Sequence, residues 1–237
     1  MIKLENTEVL GWEAAIRGMR NPMNSWEKSD SYGECPDEET ERWCGKPCIG
    51  PNDHDLMMRL AKAGSVDAKY RRMIVVTVDI TAPLYWWKEF DTYKVGTVAN
   101  SCSTMHKIHA KPFVVDDFSY EHLMTVEDYD GDEKDIPCTQ YAGNLVRFSP
   151  FGTLTVVMEM LNLCRDRFLE TKDKRYWWQM IQLLPSSYNQ RRTVMLNYEV
   201  LAGIYPKRKE HKLDEWRYFC DWIKTLPYSE IITLEET

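Results

Sequence analysis

The sequence predicts a mixed α/β domain of the α+β type, and three patterns lead to this prediction. Residues 73–78 are β-branched and almost continuously apolar, which is typical of a core strand buried on both faces. Apolar residues recur at helical spacing over residues 154–169 and again over 174–184. Residues 192–196 indicate a second core strand. A chain that contains buried strands and amphipathic helices belongs to a mixed fold class.

The first quarter of the chain is predicted to contain a strand, a helix and a long loop. Residues 2–4 indicate a short strand. Trp12, Ala15, Ile16 and Met19 then recur at helical spacing. Residues 21–54 are mostly rich in Gly, Pro, Ser and acidic side chains and are predicted as a loop.

The remaining elements follow from apolar spacing and from helix start and stop signals. Residues 55–63 are predicted as a helix that Gly64 ends, and residues 84–93 as a helix that begins after Pro83. Residues 107–150 are predicted as an acidic insertion, and residues 116–135, which include Asp130-Gly131-Asp132, as an exposed loop or insertion. Two helices, 197–209 and 213–225, are expected near the end of the chain, and residues 1–237 are predicted to form one domain.

Charge and hydropathy exclude several function classes. The formal net charge is −7 and the pI is about 5.4, which disfavours nonspecific binding to nucleic acid or to anionic membranes. No stretch approaches the roughly 20 apolar residues that a membrane span needs, and the first residues contain no apolar signal core. The chain has seven cysteines, an odd number spread along its length, so we expect reduced thiols and a cytoplasmic protein.

Two groups of side chains could suggest metal binding or nucleophilic catalysis. Cys35, Cys44, Cys48 and His54 are separated by eight, three and five residues, without the close Cys pairs of structural zinc sites. We interpret them as scattered loop residues and predict no metal site. Cys102 lies near His106 and His109, and we interpret these three residues as packing and loop residues.

Residues 94–106 form a polar run that directly follows a predicted helix. Hydroxyl and amide side chains are dense in this run, and Lys94 adds an ammonium group. Such a segment can surround a ligand, or it can simply connect two elements. The nine Trp and 13 Tyr of the chain indicate that some rings line a pocket or a subunit contact.

Two separated stretches resemble the flavin-dependent thymidylate synthases, also called thymidylate synthase complementing proteins. The first has the family's order of a Gly turn, a strand, Ala82-Pro83 and a polar motif. The second has Leu184-Pro185, a strand, Asn197 and then Arg208, which stands eleven residues beyond Asn197 without a gap. The resemblance implies that family's fold, with a small central antiparallel sheet and flanking helices.

The resemblance also implies ligands and site residues. It implies that Arg208 contacts the pyrimidine nucleotide and supports catalysis. It also implies that Ser103 and Lys94 bind the nucleotide. The residues that it implies for cofactor binding are Thr97, Asn100 and Asn197. The implied cofactor is FAD, with a folate as the one-carbon donor and deoxyuridylate (dUMP) as the nucleotide. The family's sites lie between the subunits of a homotetramer, so a homo-oligomer is expected.

Several positions depart from the family's binding set. Neutral or shorter side chains replace cations or a carboxylate at five of them: Thr92, Tyr93, Ser101, Met105 and Ile181. Glu199 stands where the family has Arg and is expected to repel an anionic flavin if it points inward. Two hypotheses remain: a diverged flavin-dependent enzyme that modifies a pyrimidine nucleotide, or a non-catalytic nucleotide-binding or assembly protein on the same scaffold.

Overall fold

The computed structural model describes residues 2–36, 43–129, 138–141 and 144–234. The chain forms two compact units. The larger unit consists of Ile2–Thr81, Glu89–Asn100 and Arg192–Thr237, and the smaller unit consists chiefly of Ala82–Lys88 and Ser101–Arg191. That residues 1–237 form a single domain stays a prediction.

The described residues contain both strands and helices of ordinary length. The strands are β1 (Lys3–Leu10), β2 (Tyr32–Pro36), β3 (Trp43–Cys48), β4 (Val75–Pro83), β5 (Val98–Ser101), β6 (Cys138–Tyr141), β7 (Asn144–Arg147) and β8 (Asn189–Asn197). The helices are α1 (Trp12–Arg20), α2 (Pro51–Ala63), α3 (Leu84–Phe90), α4 (Pro150–Thr171), α5 (Lys174–Leu183), α6 (Tyr198–Arg208), α7 (Asp214–Lys224) and α8 (Glu230–Thr233). Among these helices, none combines the length and the apolar character that crossing a bilayer requires.

A four-stranded antiparallel sheet in the order β1-β4-β8-β5 organises the fold. Strand β1 runs antiparallel to β4, with Leu4 opposite Ile80 and Val9 opposite Val76. Strands β4 and β8 are neighbours, so the two predicted core strands share one sheet. The predicted fold class is therefore confirmed.

The burial of β4 differs from the prediction. Val76, Val78, Ile80 and Ala82 are buried, whereas the residues between them are only half-buried. The prediction of burial on both faces is wrong, because one face packs into the core while polar residues such as Asp79 occupy the other.

Helix α1 matches its predicted apolar face. Trp12, Ala15, Ile16 and Met19 are all buried. Gly11 makes the turn from β1 into this helix with φ 95°, and a Cβ on it would lie 2.1 Å from the carbonyl oxygen of Met73. Only glycine fits this close, left-handed turn.

Residues 21–54 contain more structure than the predicted loop. They include two short 3-10 turns, the two-stranded antiparallel sheet of β2 and β3, and the first turn of α2. The Asp30 carboxylate accepts hydrogen bonds from the backbone N–H groups of Asn52 and Asp53, at 2.9 and 3.1 Å. These bonds satisfy free donors at the start of α2 and explain why it begins before residue 55.

A buried ion pair connects α1, α2 and the segment between them. The Asp53 side chain has no solvent exposure, and its Oδ1 accepts a hydrogen bond from Nε of Arg20 at 2.6 Å. Its Oδ2 accepts from the Ser29 hydroxyl at 2.8 Å and from the backbone N–H groups of Asp30 and Ser31. Four donors therefore compensate the lost hydration of this carboxylate.

The smaller unit has a core of its own around α4 and α5. That core consists of Ile108, Phe113, Phe118, Leu154, Leu161, Cys164 and Met180. Three of these residues fall in the range 107–150, so that acidic insertion is not exposed throughout, because its aromatic side chains pack under α4. The prediction that residues 116–135 are exposed is wrong at Phe118, which is buried, whereas Asp130-Gly131-Asp132 lies outside the described residues.

The last helices follow the prediction within one or two residues. Asn197 precedes α6 and caps it, since its Oδ1 accepts a hydrogen bond from the Val200 N–H at 3.0 Å. Pro206 lies near the end of α6, as expected. The short helix α8 was not predicted.

Replacing Asp53 with Asn should destabilise the protein by about 3 kcal/mol or more, because it leaves the buried Arg20 without its counter-charge. Urea unfolding at neutral pH measures this loss. Asp55→Asn is the matched control, since its side chain is 69% exposed on the same helix. Equal unfolding free energies for the two variants would contradict the assigned role of Asp53.

The same pair predicts a direction of pH dependence. Burial alone would raise the pKa of Asp53, but hydrogen bonds from Ser31, Ser29 and Arg20 and the charge of Arg20 hold it below its usual range. The stabilisation is present above the unfolded-state pKa of about 3.9 and is lost as the pH falls through the lower folded-state pKa. Acid unfolding of the wild type should therefore be steeper than that of Asp53→Asn below about pH 4.

Candidate functional site

Arg208 lies at the end of α6 with its guanidinium group held by three neighbours. Its Nε donates to the Tyr93 hydroxyl at 2.9 Å, and its Nη1 donates to Oε2 of Glu89 at 2.6 Å. Its central carbon stands 4.5 Å from the centre of the Trp216 ring. The side chain is 17% exposed. These contacts hold the guanidinium in one orientation, as a binding group requires.

Glu89 is the centre of this group of side chains. Its Oε2 also accepts a hydrogen bond from Nε1 of Trp216 at 3.0 Å and lies 3.6 Å from Nε2 of His211. Among the described residues, Nη2 of Arg208 has no hydrogen-bond partner. The arrangement therefore presents one edge of a fixed guanidinium to an incoming acceptor atom.

The segment that contains Lys94 and Thr97 lies against the start of α6. A Cβ placed on Gly96 would lie 3.2 Å from Nδ2 of Asn197 and 3.1 Å from Val200. The Thr97 hydroxyl oxygen is buried and has no hydrogen-bond partner among the described residues. The structure thus brings Thr97 and Asn197, both predicted to bind the cofactor, into one neighbourhood.

Lys94 and Asn100 have different surroundings from Thr97. Both side chains are exposed, and Asn100 lies in β5 at an edge of the four-stranded sheet. The polar run 94–106 is therefore not a continuous loop, because its middle pairs with the sheet. Its hydroxyl and amide groups remain accessible on that edge.

Ser103 belongs to the smaller unit and is exposed there. Its hydroxyl oxygen accepts a hydrogen bond from the backbone N–H of His106 at 2.9 Å, which is typical of a turn. Cys102 is exposed with a free thiol, while the His109 ring packs edge-on against Phe168 at 4.9 Å. Within the described part of the chain, no hydrogen bond joins the Cys102 thiol to either nearby histidine.

Glu199 does not leave an unbalanced negative charge. Its carboxylate accepts a hydrogen bond from Nε of Arg71 at 2.8 Å, and Arg71 also donates to the carbonyl oxygen of Ile231 at 3.2 Å. Both charged side chains are largely buried, with exposures of 7% for Arg71 and 18% for Glu199. The charge reversal at position 199 is thus compensated within the larger unit, which removes the expected repulsion.

The candidate zinc residues have other partners where they are described. Cys48 is disulfide-bonded, so the expectation of reduced thiols is wrong for this residue. Nε2 of His54 lies 2.7 Å from Oε1 of Glu230. The side chains of Cys35 and Cys44 lie outside the described residues. Within the described ranges, no group of three or more His, Cys, Asp or Glu side chains could hold a metal ion.

Sequence reasoning missed the residues that hold Arg208. Glu89 falls inside the predicted helix 84–93 and carries no motif, and Trp216 is one of nine tryptophans. The sequence marks Tyr93 only as a replacement for a residue of the resembling family. Trp216 lies in the first turn of α7, eight residues after Arg208 at the end of α6, and this spacing could have suggested contact between the two helices, but not its geometry.

Comparison with known proteins finds the fold and not a family. No protein-family model and no curated protein matches the sequence. The chain is similar in structure to thymidylate synthase X (ThyX) from Helicobacter pylori with FAD and dUMP, with a TM-score of 0.63 and 14% identity over 99% of this chain and 98% of that one. A second structure of the same enzyme, complexed with FAD and dUMP, gives 0.61 and 14% over 98% of each chain.

A third similar structure is that of another enzyme. The UMP/dUMP methylase PolB from Streptomyces cacaoi, bound with 5-Br dUMP, has a TM-score of 0.59 and 13% identity over 99% of this chain and 94% of that chain. At these identities the likeness establishes the fold, over nearly the whole length of both chains. It does not by itself establish what this chain binds.

Replacing Glu199 with Ala should lower the free energy of unfolding by about 3 kcal/mol, because it leaves Arg71 buried and unpaired. Glu170→Ala is the control, since that carboxylate is 66% exposed and pairs with Arg167 on the surface. The control should change stability by about 0.5 kcal/mol or less. Urea unfolding measures both variants. If Glu199→Ala lowers the free energy of unfolding no more than the control does, the ion pair of Arg71 and Glu199 does not stabilise the fold.

Proposed function

We propose that this protein binds a pyrimidine nucleotide and that Arg208 recognises the base. The observation that carries this proposal is the guanidinium of Arg208, fixed by Glu89, Tyr93 and Trp216 with Nη2 left over. Support comes from the three similar structures, which hold dUMP or 5-Br dUMP. The proposed activity is modification of dUMP or a related nucleotide, such as methylation of the ring.

The charge around Arg208 favours a neutral acceptor over a phosphate. Glu89 already neutralises the guanidinium through a 2.6 Å contact, so a doubly charged phosphate at the same edge would gain little net attraction. A carbonyl oxygen of a pyrimidine ring accepts a hydrogen bond without adding charge. The Arg208 side therefore suits the base, and the assignment of the phosphate to Ser103 and Lys94 rests on the resemblance.

The residues proposed for the cofactor suit the neutral parts of a flavin. Thr97 offers a buried hydroxyl without a partner, and Asn197 offers an amide beside Gly96. Asn100 adds an exposed amide at the sheet edge. Bound FAD would supply the hydride and a folate the one-carbon unit, while the side chains named here would hold and orient the ring system.

A second candidate function is nucleotide binding without flavin chemistry. None of the three residues proposed for the cofactor, Thr97, Asn100 and Asn197, is a cation, and the Tyr93 hydroxyl is engaged by Arg208. The pyrophosphate of FAD would need more positive charge than these residues supply. This observation favours a non-catalytic nucleotide-binding or assembly protein as the alternative.

The proposal includes a homo-oligomer, a tetramer by resemblance, in the cytoplasm. Val156, Met160 and Leu163 support an assembly because they recur at helical spacing on α4 and remain 45–56% exposed. Light scattering coupled to gel filtration tests the assembly.

Purified protein should carry flavin if the enzymatic proposal is right. We expect a yellow preparation that releases a flavin on denaturation, with a ratio approaching one per chain. Colourless protein that also fails to bind added FAD would reject the enzyme and leave the alternative. The measurement is absorbance before and after denaturation.

Addition of dUMP should raise the melting temperature of the wild type, and Arg208→Gln should abolish that rise, because the base loses its donor. Arg165→Gln is the control: it removes the same charge from a side chain that is 15% exposed in the smaller unit. We expect the control to keep the full shift. A shift retained by Arg208→Gln would place the nucleotide elsewhere, and Glu89→Gln tests the same network if Arg208→Gln is too unstable to measure.

A further inference from the structure

The larger unit contains a cavity that none of the six predicted site residues lines. Its volume is about 730 Å³, within the range of about 300–1,000 Å³ that is usual for small-molecule sites. The end of β1, helix α1, the segment after it and Pro47 of β3 form its wall. The wall is mainly apolar, and its principal side chains are Val9, Leu10, Trp12, Ile16, Trp26 and Tyr32.

The mouth of the cavity is formed by large apolar side chains that remain in contact with solvent. Leu10 is 62% exposed, Trp26 is 50% exposed and Tyr32 is 69% exposed. Exposed aromatic side chains around a concave surface are typical of a site that binds a flat apolar molecule.

Two buried donors in the wall lack acceptors. Arg20 is 4% exposed; its Nε binds Asp53 and its Nη1 binds the carbonyl and hydroxyl oxygens of Ser25, but its Nη2 has no partner among the described residues. Trp12 is 7% exposed, and its indole N–H likewise has no partner there. Buried donors without partners cost stability, so a ligand that brings an acceptor would be favoured.

The other charged groups of the wall, besides Arg20, are one arginine and one carboxylate. Arg17 is exposed and forms no ion pair within the described residues, while Glu13 is the one carboxylate of the wall. Because Asp53 already neutralises Arg20, Arg17 and Glu13 balance each other, and the preference for an anion rests on the two buried donors without partners, Nη2 of Arg20 and the indole N–H of Trp12. The hydroxyls of Ser29 and Ser31 are engaged, since Ser29 donates to Asp53 and Ser31 accepts from the Gly50 N–H.

We propose that this cavity binds a small aromatic monoanion, a flat apolar molecule with one carboxylate or sulfonate group. The rings of Trp12, Trp26 and Tyr32 contact its apolar body. Arg20 and Arg17 lie on the side of its charged group. This site goes beyond the proposed nucleotide function and does not depend on it.

Two fluorescent probes with the same aromatic body test the proposal. Anilinonaphthalene sulfonate carries one negative charge, and N-phenylnaphthylamine is its neutral counterpart. We expect one molecule of the sulfonate per chain and an affinity about tenfold higher than that of the neutral probe, because a charge-assisted hydrogen bond is added. Equal affinities would overturn the recognition of an anion.

Variants of the wall locate the binding. Arg17→Gln should weaken the sulfonate about threefold to tenfold and leave the neutral probe unchanged. Arg59→Gln is the matched control, because that side chain is 67% exposed on α2 and does not line the cavity. Ala14→Phe should block both probes by filling the cavity. Equal sulfonate binding by Arg17→Gln and Arg59→Gln would overturn the proposal.

Two further measurements keep the test decisive. Trp26→Ser and Tyr32→Ser change exposed residues, so they should fold even if Ala14→Phe does not, and each should weaken both probes. Unchanged binding in both would place the probes elsewhere and overturn the proposal. Sulfonate affinity that falls as the protein concentration rises would also overturn it, since a second copy of the chain would then cover the mouth. Arg208→Gln should bind both probes as the wild type does, whatever its response to dUMP.

Discussion

The buried carboxylate of Asp53 is the constraint on which the first part of the larger unit depends. A charge without solvent contact must be compensated, and Arg20, Ser29 and two backbone N–H groups supply that compensation. These donors come from α1 and from the segment before β2, whereas Asp53 belongs to α2. The pair therefore sets the position of α1 relative to α2, and with it one wall of the cavity. The same guanidinium that stabilises Asp53 has a buried Nη2 without a hydrogen-bond partner among the described residues.

The network around Arg208, in the same unit, follows a similar physical logic. Glu89 holds Arg208 from one side, and Tyr93 and Trp216 complete its surroundings. A guanidinium that is already neutralised is a poor phosphate receptor but a good donor to a carbonyl group. The network therefore supports the proposal that Arg208 recognises a base rather than a phosphate. The pair of Arg71 and Glu199 shows the same principle, because a charge reversal at one position is balanced by a cation far away in sequence.

Local signals predicted the longer helices and the two core strands, but not the short strands β2, β3, β5, β6 and β7 or helix α8. The apolar faces of α1 and α4, the stop at Gly64 and the cap at Asn197 follow from spacing and from residue type. The order of Leu184-Pro185, Asn197 and Arg208 predicted the scaffold from a resemblance. The segment before α2 was mispredicted as a loop, because its order comes from Asp30 and Asp53, whose partners depend on the tertiary arrangement. The burial of Phe113 and Phe118 was missed for the same reason. Their acidic neighbours in the sequence indicated an exposed segment, whereas both rings pack under a helix that is distant in the sequence.

The sequence by itself determined the fold class, the two core strands, the longer helices and the loss of several cations that the resembling family uses. These properties depend on residue type and on spacing along the chain, which local physics can interpret. Only the tertiary structure decided that Glu89 holds Arg208 and that Arg71 neutralises Glu199. It also decided that Arg20 lines a cavity with its Nη2 donor unpartnered among the described residues. Those contacts join residues between 33 and 128 positions apart. A hydrogen bond depends on distance and angle in space, and no pattern of neighbouring residues encodes either.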